Sequence, residues 1–175
     1  MFLGRESVNA SKVPVFATPR MSAFLRANGP WSQLVAARNI ALTPIAYDQP
    51  VVLDGGLRVT PFRVPHRDEW SDTVGFRIEG PRRTAIFIPD IDGWEKWDRS
   101  IRALADAADH AFLDGTFASS SEIGQPIEGI PHPLMGRTRQ LLRGTRAALW
   151  FIHLNTSNAE IDGADVAREG MTVPM

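Results

Sequence analysis

A chain of 175 residues with 43% hydrophobic content is long enough to be a single domain spanning residues 1–175 with a sizeable core. Its 19 basic and 20 acidic residues leave a net charge of −1, which argues against nucleic-acid or membrane-surface partners and leaves a small-molecule substrate. Cysteine is absent, which excludes disulfides and thiolate metal sites.

In chain order, residues 1–8 read as a helix end without a cap, an abrupt start that suggests residues once stood upstream. No signal-peptide pattern or membrane-length apolar run follows, and a cytoplasmic location is expected. Residues 13–17 read as a short buried strand. Thr18-Pro19 is an N-cap followed by proline at the first helical position, opening a helix through Ala27 that Asn28-Gly29-Pro30 stops. Residues 31–37 suit a second short helix and 40–45 a strand. Residues 49–53 and 57–64 form a hairpin about Asp54-Gly55-Gly56. Residues 73–78 and 84–88 form another, closed at Gly80-Pro81.

From residue 93 to 107, apolar or small residues at Trp97, Ile101, Leu104 and Ala105 fit an amphipathic helix. Residues 110–113 make a short strand ending at Asp114. Residues 115–131, rich in Gly, Ser and Pro, make a long loop of the kind that carries function or disorder. A helix over 133–142, a strand over 147–152 ending at His153, and a last short strand over 171–173 complete the chain. Alternating strands and helices give an α/β fold with mixed strand directions.

The recurring event is an apolar strand that ends in a ligand-type residue: Ile-Phe-Ile-Pro-Asp90, His-Ala-Phe-Leu-Asp114 and Leu-Trp-Phe-Ile-His153. Strand ends along one sheet edge share a crevice where α/β sites form. His66, at the open end of the central hairpin, falls beside Asp90. Imidazoles with carboxylates suit Zn²⁺, Mn²⁺ or Fe. Blander readings stand beside these. Asp90 is a ligand or a helix N-cap, with Asp92 favoured as the cap. Asp114 is a turn former or part of a site, and His132 is a rigid turn residue or a positioned general acid. His66 is a ligand or a loop histidine, and His153 a ligand or a buried histidine bonded to backbone. His110 reads as structural, and the five tryptophans as core or pocket walls. Arg137, Arg139, Arg143 and Arg146 read as a solvated face, with a phosphate contact as the minority alternative.

Taken together, Pro-His66-x(7)-Val-Gly-Phe-Arg-Ile, Phe-Ile-Pro-Asp90, Leu-Asp114-Gly-Thr-Phe, Ile-Pro-His132-Pro and Phe-Ile-His153 resemble the C-terminal two thirds of a metallo-β-lactamase-fold hydrolase. Gly4-Arg5-Glu6, the stretch from Val13 to Met21 and Asn28-Gly29-Pro30-Trp31-Ser32-Gln33-Leu34 resemble the coenzyme PQQ synthesis protein B branch. Ribonuclease Z and related phosphodiesterases are more distant. The resemblance implies an αββα sandwich with mixed sheets, lacking the N-terminal strands and the first metal motif. It implies His66, Asp90 and His153 as metal ligands, and Asp114 with His132 as a pair assisting proton transfer to a leaving group. The family's H-x-H-x-D-H motif is absent, since no two of the four histidines are spaced as H-x-H. One weak Zn²⁺ site and impaired hydrolysis are therefore expected, with a non-catalytic remnant as the alternative. A ribonuclease Z-like phosphodiesterase is a further alternative, disfavoured by the lack of a basic substrate arm. Uncovered sheet would be closed by a homo-oligomer or a partner.

Overall fold

The structure is a computed structural model that describes residues 2–122 and 131–175. Its contacts separate two compact units, Met1–Gln49 with Asp68–Asp72, and Pro50–Arg67 with Thr73–Met175.

In the first unit, β1 (Val13–Ala17) pairs in parallel with β2 (Ile40–Pro44), Val13 opposite Ile40. Two helices connect them, α1 (Pro19–Ala27) and α2 (Trp31–Ala36). The start of α1 is the one its sequence foretells. Thr18 Oγ1 accepts from the Met21 amide at 3.2 Å, and Pro19 occupies a first-turn position where no amide hydrogen is missed. The same hydroxyl donates to Asp72 Oδ1 at 2.7 Å. Burial pushes the Asp72 carboxyl up, but hydrogen bonds from Tyr47, Thr18 and Ser71 outweigh it and hold the group below its ordinary range. Ala17, Leu34, Ile40 and Ile45 are buried here. The expected burial of β1 holds only in part, because Phe16 is 42% exposed. The expected helix end at the N-terminus is instead a set of turns, closed by bonds such as Asn9 N to Gly4 O at 2.9 Å.

The second unit is built on a six-stranded sheet in simple sequential order: β3 (Val51–Val52), β4 (Arg58–Arg63), β5 (Val74–Glu79), β6 (Thr84–Ile88), β7 (His110–Asp114) and β8 (Ala148–Ile152). The strands from β3 to β6 are antiparallel neighbours. The strands from β6 to β8 are parallel, joined by crossovers carrying α3 (Ile101–Asp106) and α4 (Met135–Leu141). Parallel strands covered by crossover helices read as continuous apolar runs. Ile86, Ile88, Ala111 and Leu113 accordingly show at most 0% exposure and form one core with Trp94, Trp97, Ile101 and Ala105. A second cluster joins Phe151 of β8 to Met135, Ala118 and Val166. Gly75 is needed at the β4–β5 contact, because a Cβ there would lie 2.5 Å from the Phe62 ring.

Two expected elements differ. The helix expected from residue 93 begins at Ile101, capped by Ser100 Oγ on the Ala103 amide at 3.2 Å. Ahead of it, Trp94–Lys96 makes only one tight turn. Trp94 Nε1 donates to Thr138 Oγ1 and Trp97 Nε1 to Arg63 O, both at 2.9 Å, so tertiary bonds set this segment's path. Residues 171–173 form no strand. Of the long loop expected over 115–131, residues 123–130 lie outside the described residues. No helix among the described residues is long and apolar enough to cross a membrane.

Arg139 of α4 grips the segment that follows β8. Its Nε donates to Asp165 Oδ2 at 2.7 Å and one terminal nitrogen reaches Asp165 Oδ1 at 2.9 Å and Glu160 Oε2 at 2.6 Å. The guanidinium holds the Asp165 carboxyl below its ordinary value of 3.8, against burial. A carboxyl depressed in the folded state stabilises it above the unfolded pKa and loses that contribution as pH falls through the folded value. Urea melts between about pH 5 and about pH 2 should show stability rising with pH, with a shallower rise in Arg139→Ala. Equal slopes would show that the clamp contributes nothing.

Candidate metal centre

The parallel ladder brings three strand ends together. Ile88 of β6 lies opposite Leu113 of β7, and Asp114 opposite Ile152 of β8. Asp90, Asp114 and His153 therefore emerge from one edge of the sheet. His66 arrives from the other side of the hairpin. The Asp92 amide donates to Pro65 O at 2.8 Å, which ties the segment after β4 to the segment after β6. His132 is delivered by the start of α4, where the Met135 amide bonds Phe117 O at 3.0 Å.

Asp114 is the hub. Its side chain is fully buried, and both oxygens are used. Oδ1 accepts from the Thr116 amide at 2.9 Å and the Thr116 hydroxyl at 2.7 Å. Oδ2 accepts from the Ile91 amide at 3.1 Å and from His132 Nδ1 at 2.8 Å. Burial pushes His132 down, but the Asp114 bond and charge, with Asp90 and Asp92, outweigh it and raise its pKa above 6.5.

The network assigns the tautomers. A Thr116 hydroxyl that gives its only proton to Asp114 can only accept, so the His153 Nδ1 at 3.1 Å is the donor there. His66 Nδ1 is 2.9 Å from Asp92 Oδ1. In all three histidines Nδ1 is anchored by an oxygen, which leaves each Nε2 for the centre. The His132 ring stands between the others, with centroids 5.7 Å from His66 and 6.0 Å from His153.

Asp90, Asp114, His132 and His153 each offer one donor atom, and these lie within 4.8 Å of one another. Two observations test whether the set suits a cation. Asp90 Oδ1 is buried and accepts no hydrogen bond, although His132 Nδ1 is 3.5 Å away. An orphaned carboxylate oxygen costs several kcal/mol unless something positive reaches it, by order of magnitude about 3. His66 Nε2 stands 3.0 Å from Asp90 Oδ2 with its Nδ1 already committed, a distance that requires a proton or a cation between two acceptors. The donors fit a cation. His153 also holds a left-handed backbone, φ 59°, an uncommon state for a non-glycine residue that recurs at functional sites.

All five residues singled out in the sequence thus meet in one place. Asp90 and His153 share the four-donor group with Asp114 and His132, while His66 stands beside it, bonded to Asp90 and Asp92. Asp92, expected as a helix cap, instead orients His66, because the helix starts later, at Ser100. Thr116 and Asn158 were missed. Thr116 was legible only as the Thr of Asp114-Gly-Thr. The buried Asn158 supports it from below, its amide donating to Gly115 O at 2.8 Å. The other histidine, His110, lies at the opposite end of β7 with Trp150 Nε1 3.4 Å from its Nδ1.

Comparison with known proteins bears on the fold. Coenzyme PQQ synthesis protein B of Ruegeria pomeroyi is 29% identical over 186 residues, covering 91% of this chain and 62% of that protein. The crystal structure of Zn(2+)-bound PqqB from Methylobacterium extorquens superposes with a TM-score of 0.75 at 21% identity, over 94% of this chain and 65% of that one. A diphosphatase from the PhnP family gives 0.61 at 14% identity, over 90% of this chain and 53% of that one. The chain spans less than two thirds of the length of these relatives. At such identities the structural matches report the fold alone, and that fold is a mixed α/β metallo-β-lactamase fold. The beta-lactamase superfamily domain model matches residues 3–154, and this chain belongs to that family.

Proposed function

We propose that this chain is a metal-dependent hydrolase of the metallo-β-lactamase fold, related to coenzyme PQQ synthesis protein B, that holds one Zn²⁺ between Asp90 and His153 with His66 alongside, and that keeps His132, paired with Asp114, for proton transfer. Mn²⁺ and Fe are the alternative ions for this donor chemistry. The observation that carries the reading is the orphaned Asp90 Oδ1 facing three anchored imidazoles. When bound, such an ion acidifies a water and polarises the scissile group. The residues have their own tasks. Asp92 and Thr116 fix the His66 and His153 rings, and Asp114 holds the Nδ1 proton of His132 so that its Nε2 faces outward. The raised pKa of His132 also makes it able to hold a second proton and pass it to a leaving group.

Calorimetric titration of chelator-dialysed protein with Zn²⁺ tests the reading. One equivalent per chain is expected, with affinity falling as the pH is lowered from about 8 to about 6, because metal and proton compete for imidazole. His153→Ala should remove binding. Two tight equivalents, or none, would overturn the single site. A chromogenic phosphodiester or ester then separates the two functional readings: Zn²⁺-dependent turnover supports the hydrolase. Binding without any turnover supports a non-catalytic role.

A further inference from the structure

A second charged feature in the same unit has no part in the metal centre. Between α3 and α4 lies an open cleft of about 200 Å³, lined by Arg99, Arg102 and Arg137 with Trp94, Ile101 and Leu141. Glu95 and Ser100 complete the lining, so three cations face a single carboxylate. That carboxylate lies against Gly93, close enough that a Cβ there would collide with it, while Glu95 still lines the cleft. Trp94 and Ile101 are buried and give the cleft an apolar floor, which strengthens charge interactions above it.

Two of the arginines are suited to receive an anion. Arg102 is fixed in place by donating from one terminal nitrogen to Leu141 O at 2.8 Å and Arg143 O at 3.1 Å. These bonds use carbonyls rather than a carboxylate, so its charge is not neutralised and its remaining donors are preorganised. Arg137 sits one helical turn before Leu141 on α4, and among the described residues no carboxylate pairs with it. Arg139, on the same helix, shows the contrast. Its fork is filled by Asp165 and Glu160. Arg102, held by two carbonyls, and Arg137 thus line the same cleft as the buried Trp94.

We propose that this cleft binds a small phosphate dianion, either inorganic phosphate or the phosphoryl group of a small monoester. Planar guanidinium forks match phosphate oxygens in pairs, which favours phosphate over a spherical anion. The cavity is smaller than the roughly 300–1,000 Å³ of pockets that enclose cofactors, which confines the ligand to a small one.

The test uses the full chain freed of metal by chelator dialysis, so that phosphate bound at a metal ion cannot contribute. Titration with inorganic phosphate should show saturable binding at one site per chain, weakened about tenfold or more by Arg137→Glu. Arg137→Lys should fall between the two, keeping the charge and losing the fork. Arg137 is exposed on the helix surface, and circular dichroism would confirm that its variants stay folded. Glycerol 1-phosphate forms the second arm. Tighter binding than inorganic phosphate identifies a monoester whose carbon portion uses the Trp94 floor, and equal binding identifies the phosphate alone. Absence of saturation up to about 10 mM, a range in which a pair of charge-assisted contacts should register, would overturn the proposal. Identical affinity in Arg137→Glu would do the same. Neither result bears on Zn²⁺ binding, which is read separately.

Discussion

Asp114→Ala is expected to remove about 3–5 kcal/mol of unfolding free energy, the range seen when one member of a buried charged pair is deleted. The side chain is fully buried and receives four hydrogen bonds, from the Ile91 and Thr116 amides, the Thr116 hydroxyl and His132. Truncation leaves those donors facing a cavity that cannot supply acceptors, and each unsatisfied group costs about 1–3 kcal/mol. Against a typical total of about 5–15 kcal/mol, the loss is a large part of the whole. The effect should also be asymmetric. Asp114→Asn keeps the volume but turns one acceptor into a donor, set against the amides of either Ile91 or Thr116. It should recover packing without recovering the network. Urea denaturation followed by far-ultraviolet dichroism measures both variants, and wild-type midpoints in the two would remove Asp114 from its role as hub.

Thr116→Val is the second large effect, and it is read chiefly on binding, with about 1 kcal/mol of stability lost along with the hydroxyl's bond to Asp114. The change is close to isosteric and deletes only the hydroxyl that links Asp114, His132 and His153. Without it the His153 ring loses the acceptor for its Nδ1 proton, and with it the constraint on tautomer and orientation. Losing such a partner of a metal-binding histidine typically costs about 10–100-fold in metal affinity. Thr116→Ser keeps the hydroxyl and should bind within about threefold of wild type, which separates loss of the hydrogen bond from loss of packing. Zinc affinities measured by competition with a chromophoric chelator give the comparison. Equal affinity in the valine and serine variants would mean that His153 is oriented by its left-handed backbone alone.

The strand ends were legible because each couples two signals that sequence carries well, an apolar run and the polar residue that stops it. Asp90, Asp114 and His153 were found that way, and the parallel ladder explains why they meet. His66 was legible from hairpin geometry. Asp92 departs from the expected cap because periodicity alone starts the helix at residue 93, whereas the Trp94 and Trp97 indoles are held by partners distant in sequence. No local pattern encodes such bonds. Thr116 escaped for a related reason: its role depends on three residues that meet only after folding. The outlying strand over residues 171–173 failed differently. The chain end packs against the Gly80 turn, where Met175 occupies the space a side chain would need, without joining any ladder.

His153 follows the last strand of the sheet, and a last strand has one unpaired edge. Here that edge is closed by a short strap. The Phe151 amide donates to Asp165 O at 2.7 Å and the Ala167 amide to Phe151 O at 2.9 Å. The strap is in turn gripped by Arg139. The lifetime of His153 in its working position is therefore governed from outside the centre. Edge opening is a local fluctuation, more frequent than global unfolding, and its frequency is set by how firmly the strap is pinned. A salt-screened ion pair on the surface of α4 thus acts as a timer on the departure of the His153 imidazole, and faster amide exchange at Phe151 is how a loosened timer would register.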